Sequence, residues 1–320
     1  MPSLIFIFVV VCAVGLSIAD DRPIVGILTL PRCSKKYDFG QCIVAGYVKF
    51  VEQAGARVVP IPYDLNQAEL RDLLSKINGV LLTGGGIYLQ ENTPFFDALT
   101  TIYNFTLESN QKGEVFPLLG ICQGFEAIAS VVGGTSILKR FDARNLSLPL
   151  DFVFGGASSQ LFPDSRSEWS HVYNLLATKP ITFHQHSRGV SPDDFRRLLA
   201  KDFRLVAVND DRSDKQFVSA FEGKEAPIFS LVFHPEKQIY EWPRNYNISH
   251  SSNAIFANRF FADVFVDVAR KSTRSFASFT EEDQQLIYNY KPVYTGAENG
   301  YFEQIYFITP ARYVPTISPA

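Results

Sequence analysis

Four cysteines in 320 residues are too few for a disulfide-dense scaffold. Histidine is scarce as well, with five in the chain, so few side chains are available as a base near neutral pH. No charge of one sign dominates: 30 Lys and Arg face 33 Asp and Glu, for a formal net charge of −3. There is no long basic run, which excludes an electrostatic footprint for nucleic acid. Past residue 19 no segment is apolar enough to cross a membrane. Neither an internal repeat nor a linker divides the chain. What is abundant is ordinary globular material, 46% hydrophobic and 20% charged, enough for one large core or two modest ones. Aromatics reach 14% with 28 Phe, which reads as core packing.

The N-terminus is the exception to the absence of apolar runs. Residues 4–16 are almost continuously apolar, and Ser17-Ile18-Ala19 offers a small-x-small cleavage site before Asp20-Asp21-Arg22. This reads as a secretory signal peptide over residues 1–19, although its first residues carry no Lys or Arg. The alternative, an uncleaved anchor, is disfavoured because a span needs ~20 residues. Residues 20–320 then form a single domain. Sequons at Asn104, Asn145 and Asn247 agree with a glycosylated protein that is secreted or lysosomal. Cleavage removes Cys12 and leaves Cys33, Cys42 and Cys122, an odd count with at least one free thiol. Cys33 and Cys42 either pair or stay free; a loop this short can be sterically awkward, and the sequence does not choose.

Apolar runs and amphipathic stretches alternate along the mature chain. Strands are expected over 22–30, 56–61, 80–82 and 117–121, and helices over 41–54, 67–77 and 94–111. Gly55 would stop the first helix. Leu70, Leu73, Leu74 and Ile77 fall at i, i+3, i+4 and i+7 of the second. Residues 140–196 are less regular and are expected to lay antiparallel strands and loops over the site. Strands return over 205–209, 217–221 and 228–233, followed by a helix over 253–271 and an extended aromatic tail from Tyr288. The expected fold is α/β, a parallel-cored mixed sheet with helices on both faces. In such sheets sites form outside the carboxyl ends of the strands.

Two strand ends carry chemistry. Gly120-Ile121-Cys122-Gln123-Gly124 closes one apolar run and opens a helix, the sequence form of a nucleophile elbow with a tight and strained turn. The helix N-terminus should favour thiolate at Cys122. Thr83-Gly84-Gly85-Gly86 ends an upstream strand. His234 closes another, two residues before Glu236, and in a strand those two side chains share a side. Cys122, His234 and Glu236 therefore read as nucleophile, base and orienter. Each alone is more often core or surface polarity; the combination is hard to reach by chance.

Gly-Ile-Cys-Gln-Gly with Val-Phe-His-Pro-Glu resembles the signature pair of the class I glutamine amidotransferase-like superfamily. Nearly the whole mature chain is similar to the γ-glutamyl hydrolases within it, including Phe183-His184, Tyr240-Glu241-Trp242 and Pro292-Val293-Tyr294-Thr295-Gly296. The resemblance implies a flavodoxin-like sheet architecture and hydrolysis of γ-linked glutamates from folate and antifolate polyglutamates through a Cys122 acyl-enzyme. It further implies oxyanion donors at Gly85, Gly86 and the Gln123 amide, and Tyr47, Glu126 and His184 around the substrate glutamate, with Glu126 suited to an α-ammonium. No metal or cofactor is implied; a homodimer is. The position two before His234 is usually Gln in the superfamily and is Val232 here, which puts affinity and the endo/exo preference in doubt. His186 falls where an aromatic is common and reads as a solvated loop histidine. The alternatives are another secreted glutaminase-type hydrolase of the superfamily, or an inactive secreted binding protein.

Overall fold

The computed structural model describes residues 21–33, 40–153, 159–296 and 301–308. The expected leader over 1–19 lies outside them. In chain order the elements are β1 (Ile24–Leu28), β2 (Gln41–Val44), α1 (Ala45–Glu52), β3 (Arg57–Ile61), α2 (Gln67–Leu74), β4 (Gly79–Leu82), α3 (Pro94–Gln111), β5 (Leu118–Ile121) and α4 (Gln123–Gly133). There follow β6 (Lys139–Leu148), β7 (Asp151–Phe152), α5 (Trp169–Thr178), β8 (Thr182–Gly189), α6 (Pro192–Leu198), β9 (Phe203–Asp210), β10 (Gln216–Gly223) and β11 (Ile228–Leu231). Last come α7 (Lys237–Tyr240), α8 (Ser252–Ala269), α9 (Phe279–Gln285), β12 (Pro292–Tyr294) and β13 (Gln304–Ile308).

Eight strands form the central sheet in the order β3-β1-β4-β5-β11-β10-β9-β7. From β3 to β11 the pairing is parallel; from β11 to β7 it is antiparallel. This is the parallel-cored mixed sheet expected. Strand alternation splits the apolar residues between two cores: Ile24 and Leu28 pack on one face with α2, α3 and α4, while Val25 and Ile27 pack on the other with α1, α5 and α8. Both faces are dry, so the parallel strands are continuously apolar. α2 starts at a capping box made by Asn66 and Glu69, and α3 at the Thr93 hydroxyl with Pro94 next.

Three expectations need correction. The helix expected over 41–54 begins only at Ala45, because Gln41–Val44 is a strand paired antiparallel with β13. Its partner lies some 260 residues away, out of reach of any local pattern. The tail is not merely extended: β12 and β13 pair and join β2 in a second, three-stranded sheet. The irregular middle does contain an antiparallel pair, β6 with β8, but also the helices α5 and α6. A disulfide joins Cys33 to Cys42 beside that second sheet, and Cys122 is the free cysteine among the described residues.

Candidate active site

β5 ends at Ile121 and α4 begins at Gln123, so the whole turn falls on Cys122, with φ 52° and ψ −103°. A non-glycine residue held there costs about 1–3 kcal/mol. Close approach explains the flanking glycines. A Cβ on Gly124 would strike the Leu82 carbonyl oxygen of β4, and one on Gly120 would lie 2.6 Å from the Gly124 oxygen. The strained turn is held by the Cys122 N–H, which donates to the Leu231 carbonyl at 2.8 Å, and by the Glu126 N–H, which donates to the Cys122 carbonyl at 3.0 Å.

The thiol is 5% exposed. Burial, with Glu126 and Glu236 nearby, pushes its pKa up; Lys237 and the Gln123 N–H pull the other way and lose. Burial thus works against the thiolate expected from the helix N-terminus.

His234 follows β11, and its N–H donates to the Phe183 carbonyl at 2.8 Å. Its Nδ1 lies 2.7 Å from Glu236 Oε1 and 3.3 Å from the Tyr47 hydroxyl. The pairing with Glu236 is real, but strand alternation does not make it. β11 stops at Leu231, the chain bends, and Glu236 sits at the N-cap of α7. Burial lowers the pKa of His234 despite the neighbouring carboxylate. Burial works against ionised Glu236 too, but His234, its hydrogen bond and Lys237 outweigh it and its pKa falls below the ordinary value. The pair is thus neutral imidazole and carboxylate near neutral pH. Nδ1–H faces the carboxylate, and Nε2 is the nitrogen left to take a proton.

Tyr47, on α1, ties this pair to the glycine loop by accepting the Gly84 N–H at 2.9 Å. A Cβ on Gly84 would stand 2.8 Å from His234 Cε1 and 3.3 Å from Cys122 Cβ, so the loop, the base and the nucleophile crowd one point. The N–H groups of Gly85 and Gly86 have no hydrogen-bond partner among the described residues. The Gln123 side chain fastens the loop by bonding both main-chain groups of Ile87, while its own N–H points at the Cys122 sulfur. The Gln123 N–H thus reaches the sulfur, while Gly85 and Gly86 line the same two cavities as Cys122.

Two cavities of about 320 Å³ each open on Cys122 and share Gly85, Gly86, Arg144 and Gln185. The first is walled by Tyr47, His234, Tyr301 and Phe302, the second by Tyr88, Glu126, Ser187 and Arg188. A larger cavity of about 460 Å³ near Arg71, Phe105 and Arg274 has no cysteine or histidine in its lining, and two of its arginines pair there as Arg71–Glu108 and Arg274–Glu114.

The remaining candidates are placed differently from expectation. Glu126 is buried, and burial pushes its carboxyl up to about 7 against the pull of Arg188, whose Nη2 stands 3.1 Å away. It already has a cation, so it is not a vacant seat for an ammonium. His184 is fully buried and lines neither cavity, so direct contact with a ligand is not what its position offers. It stands behind His186, which is no solvated loop residue but a buried member of β8. His186 Nδ1–H donates to the Arg188 carbonyl at 2.9 Å, which leaves Nε2 to accept from His184 Nδ1–H at 3.2 Å. Burial lowers both pKa values, so the chain of rings is neutral. Val232 is a core residue: it is fully buried, lines neither cavity, and its N–H donates to the Ser219 carbonyl at 2.9 Å.

Sequence reasoning missed Arg144, Gln185, Arg188, Tyr301 and Phe302. The first three lie in the irregular middle and the last two in the aromatic tail. The one signal was the unusual density of aromatics from Tyr288 onward. Lys237 lies under that tail, its Nζ 4.5 and 4.8 Å from the ring centroids of Tyr301 and Phe302. Of the sequons, Asn104 and Asn247 are exposed. Asn145 is half-buried, with its Oδ1 accepting the Asn247 N–H at 2.6 Å and its Nδ2 donating to the Asn245 carbonyl.

The family model described as peptidase C26 matches residues 23–236. Gamma-glutamyl hydrolase B of Dictyostelium discoideum is 38% identical over 293 residues, covering 90% of this chain and 83% of its own. Gamma-glutamyl hydrolase of Bos taurus is 38% identical over 290 residues, covering 89% of each. Among solved structures, PurLQS from Thermotoga maritima is similar with a TM-score of 0.44 at 14% identity, covering 77% of this chain and 97% of that one.

Proposed function

The chain belongs to the peptidase C26 family, and from that premise we propose that it hydrolyses γ-glutamyl bonds by attack of Cys122 on the γ-carbonyl. One observation carries the reading: a thiol on a strained strand-to-helix turn opens into the same cavity as an imidazole whose other nitrogen is held at 2.7 Å by Glu236. As sulfur attacks, its proton passes to His234 Nε2. The imidazolium that forms is stabilised by Glu236. Proton and electron pair move together, so the upward push of burial on the thiol is no obstacle; His234 lines the same cavity and is neutral. The tetrahedral oxyanion is met by the N–H groups of Gly85, Gly86 and Gln123, each such donor being worth about 3 kcal/mol. His234 then protonates the leaving amine, and water, activated by the same ring, hydrolyses the thioester.

The γ-glutamyl bond agrees with the names of the relatives; the substrates proposed, folate and antifolate poly-γ-glutamates, rest on the resemblance of the sequence. No helix among the described residues is long and apolar enough to cross a membrane. A lysosomal or secreted home rests on the leader signature, the sequons and the Cys33–Cys42 disulfide, a bond of oxidising compartments. Glycans belong at Asn104 and Asn247, since Asn145 has its side chain engaged. Homodimer assembly remains part of the proposal and is checked by light scattering.

The test is turnover of pteroyl-γ-polyglutamate at acidic pH by the glycosylated protein and by Cys122→Ala, with products resolved by chain length. Equal rates for the two would sink the hydrolase reading. Turnover of free glutamine without γ-glutamyl peptides would mark a glutaminase, and binding without turnover a binding protein.

A further inference from the structure

We propose that Arg144 and Arg188 form a two-guanidinium subsite beside Cys122 that takes the α-carboxylate of a γ-linked glutamyl residue at the scissile bond. This rests on the γ-glutamyl reading above and adds its specificity device. Every γ-linked glutamyl unit keeps one free α-carboxylate, so a site for such chains needs fixed cations close to the nucleophile. The loop and elbow supply main-chain donors only. In the second cavity the charge comes from β6 and β8; Arg32 lines only the first.

Arg144 sits opposite Gln185 where β6 pairs with β8. The next residue, Asn145, has φ 51°, and the register slips there. The slip is pinned from both sides: the Asn145 N–H donates to Gln185 Oε1 at 2.7 Å, and its carbonyl accepts from Arg212 at 3.0 Å. Arg144 faces both cavities that meet at Cys122. Its one recorded side-chain contact is a hydrogen bond from Nη2 to the neutral Ser187 hydroxyl at 3.2 Å, and it has no ion pair among the described residues.

Arg188 stands two residues beyond His186 on the same strand, and its main chain is held by the His186 ring. Its Nη2 is 3.1 Å from Glu126 Oε2, yet that contact lacks the N–H alignment of a hydrogen bond. The guanidinium is charge-paired with Glu126 but makes no hydrogen bond to it among the described residues. The charged side chains lining the second cavity are thus Arg144 and Arg188 against Glu126, a net positive wall with unfilled donors. Planar guanidinium forks bind carboxylates in pairs of hydrogen bonds, which gives orientation as well as attraction.

The experiment uses the full-length secreted enzyme and two sets of γ-glutamyl oligomers. One has free α-carboxylates. The other has a primary amide replacing the α-carboxylate on either side of the scissile bond. The readout is the ratio of kcat/KM for acid over amide substrate. Wild type should favour the acid by roughly 10- to 100-fold at one of the two positions, the size expected of charge-assisted hydrogen bonds. Arg144→Gln and Arg188→Gln should each shrink that ratio, chiefly through KM, and the double variant should bring it close to one. Arg144→Lys should fall between, keeping charge without the fork. A merely structural role would lower both substrates together and leave the ratio intact, and that result overturns the subsite. If wild type cleaves neither set, the subsite falls together with the γ-glutamyl reading, a failure distinguishable from an unchanged ratio in an active enzyme.

Discussion

The two sides of Cys122 are built on different principles. Beneath it, the ends of β4 and β5 contribute main-chain atoms: the carbonyl of Leu82 against Gly124, the N–H groups of Gly85, Gly86 and Gln123, and a turn that glycine alone permits on either side. Above it, β6, β8 and the C-terminal segment contribute side chains: Arg144, Gln185, Arg188, Tyr301 and Phe302. The lower side is set by steric contacts of ångström tolerance between neighbouring parallel strands. The upper side is a layer resting on the sheet, where a side chain can change without moving the nucleophile. We assign reaction chemistry to the first, together with the His234–Glu236 pair that follows β11, and choice of substrate to the second.

Breaking the His234–Glu236 pair, which works with the lower side, should have the largest effect. Glu236→Gln should cut kcat by about 10²–10⁴-fold with the fold intact, because the imidazolium loses its stabilising carboxylate. The pH profile sharpens this. His234 has its pKa lowered by burial, so neutral imidazole persists below pH 6.5 and the acid limb of kcat/KM should lie below that value. Glu236 acts to raise that pKa, so residual activity in Glu236→Gln should show its acid limb at still lower pH. An acid limb moving upward would contradict the assignment.

Gly124→Ala comes next. Its methyl would land on the Leu82 carbonyl, a main-chain atom with no room to move, so β4 and α4 must part. We expect a loss of about 1–3 kcal/mol in denaturant unfolding, together with near-complete loss of turnover. Wild-type activity in that variant would show that the elbow tolerates more than its contacts suggest. The smallest effect belongs to the upper side: Phe302→Ala should raise KM by roughly tenfold while kcat stays within a factor of a few, since it removes part of a cavity wall and touches no reacting atom. A fall in kcat equal to that in kcat/KM would erase the distinction between the two sides.

That division also marks what could be read without coordinates. Cys122, the glycine loop and His234 each stand at the end of a short apolar strand, and the rule that parallel strands carry sites at their carboxyl ends places them together. α3 runs over Pro94–Gln111 because its start is written in Thr93-Pro94 and its stripe in its own residues. The helix expected to begin at Gln41 failed because β13 captures Gln41–Val44 from the far end of the chain. Glu236 was paired correctly for an incorrect reason: a turn, not strand alternation, brings it to His234.

Local sequence by itself determined the elbow, the order of strands and helices in the parallel half, and which residues to propose as nucleophile and base, since each depends on residues within a few positions of one another or on a rule of topology. Tertiary structure alone decided that Cys33 bonds Cys42, that Val232 is core rather than pocket, that His186 is buried, that burial pushes the Cys122 thiol up, and that two arginines from an irregular stretch face it. The disulfide joins residues only nine apart, but the other four share one physical reason. Burial, pairing and desolvation are set by what packs against a residue, and here the packing partners come from segments distant in the chain.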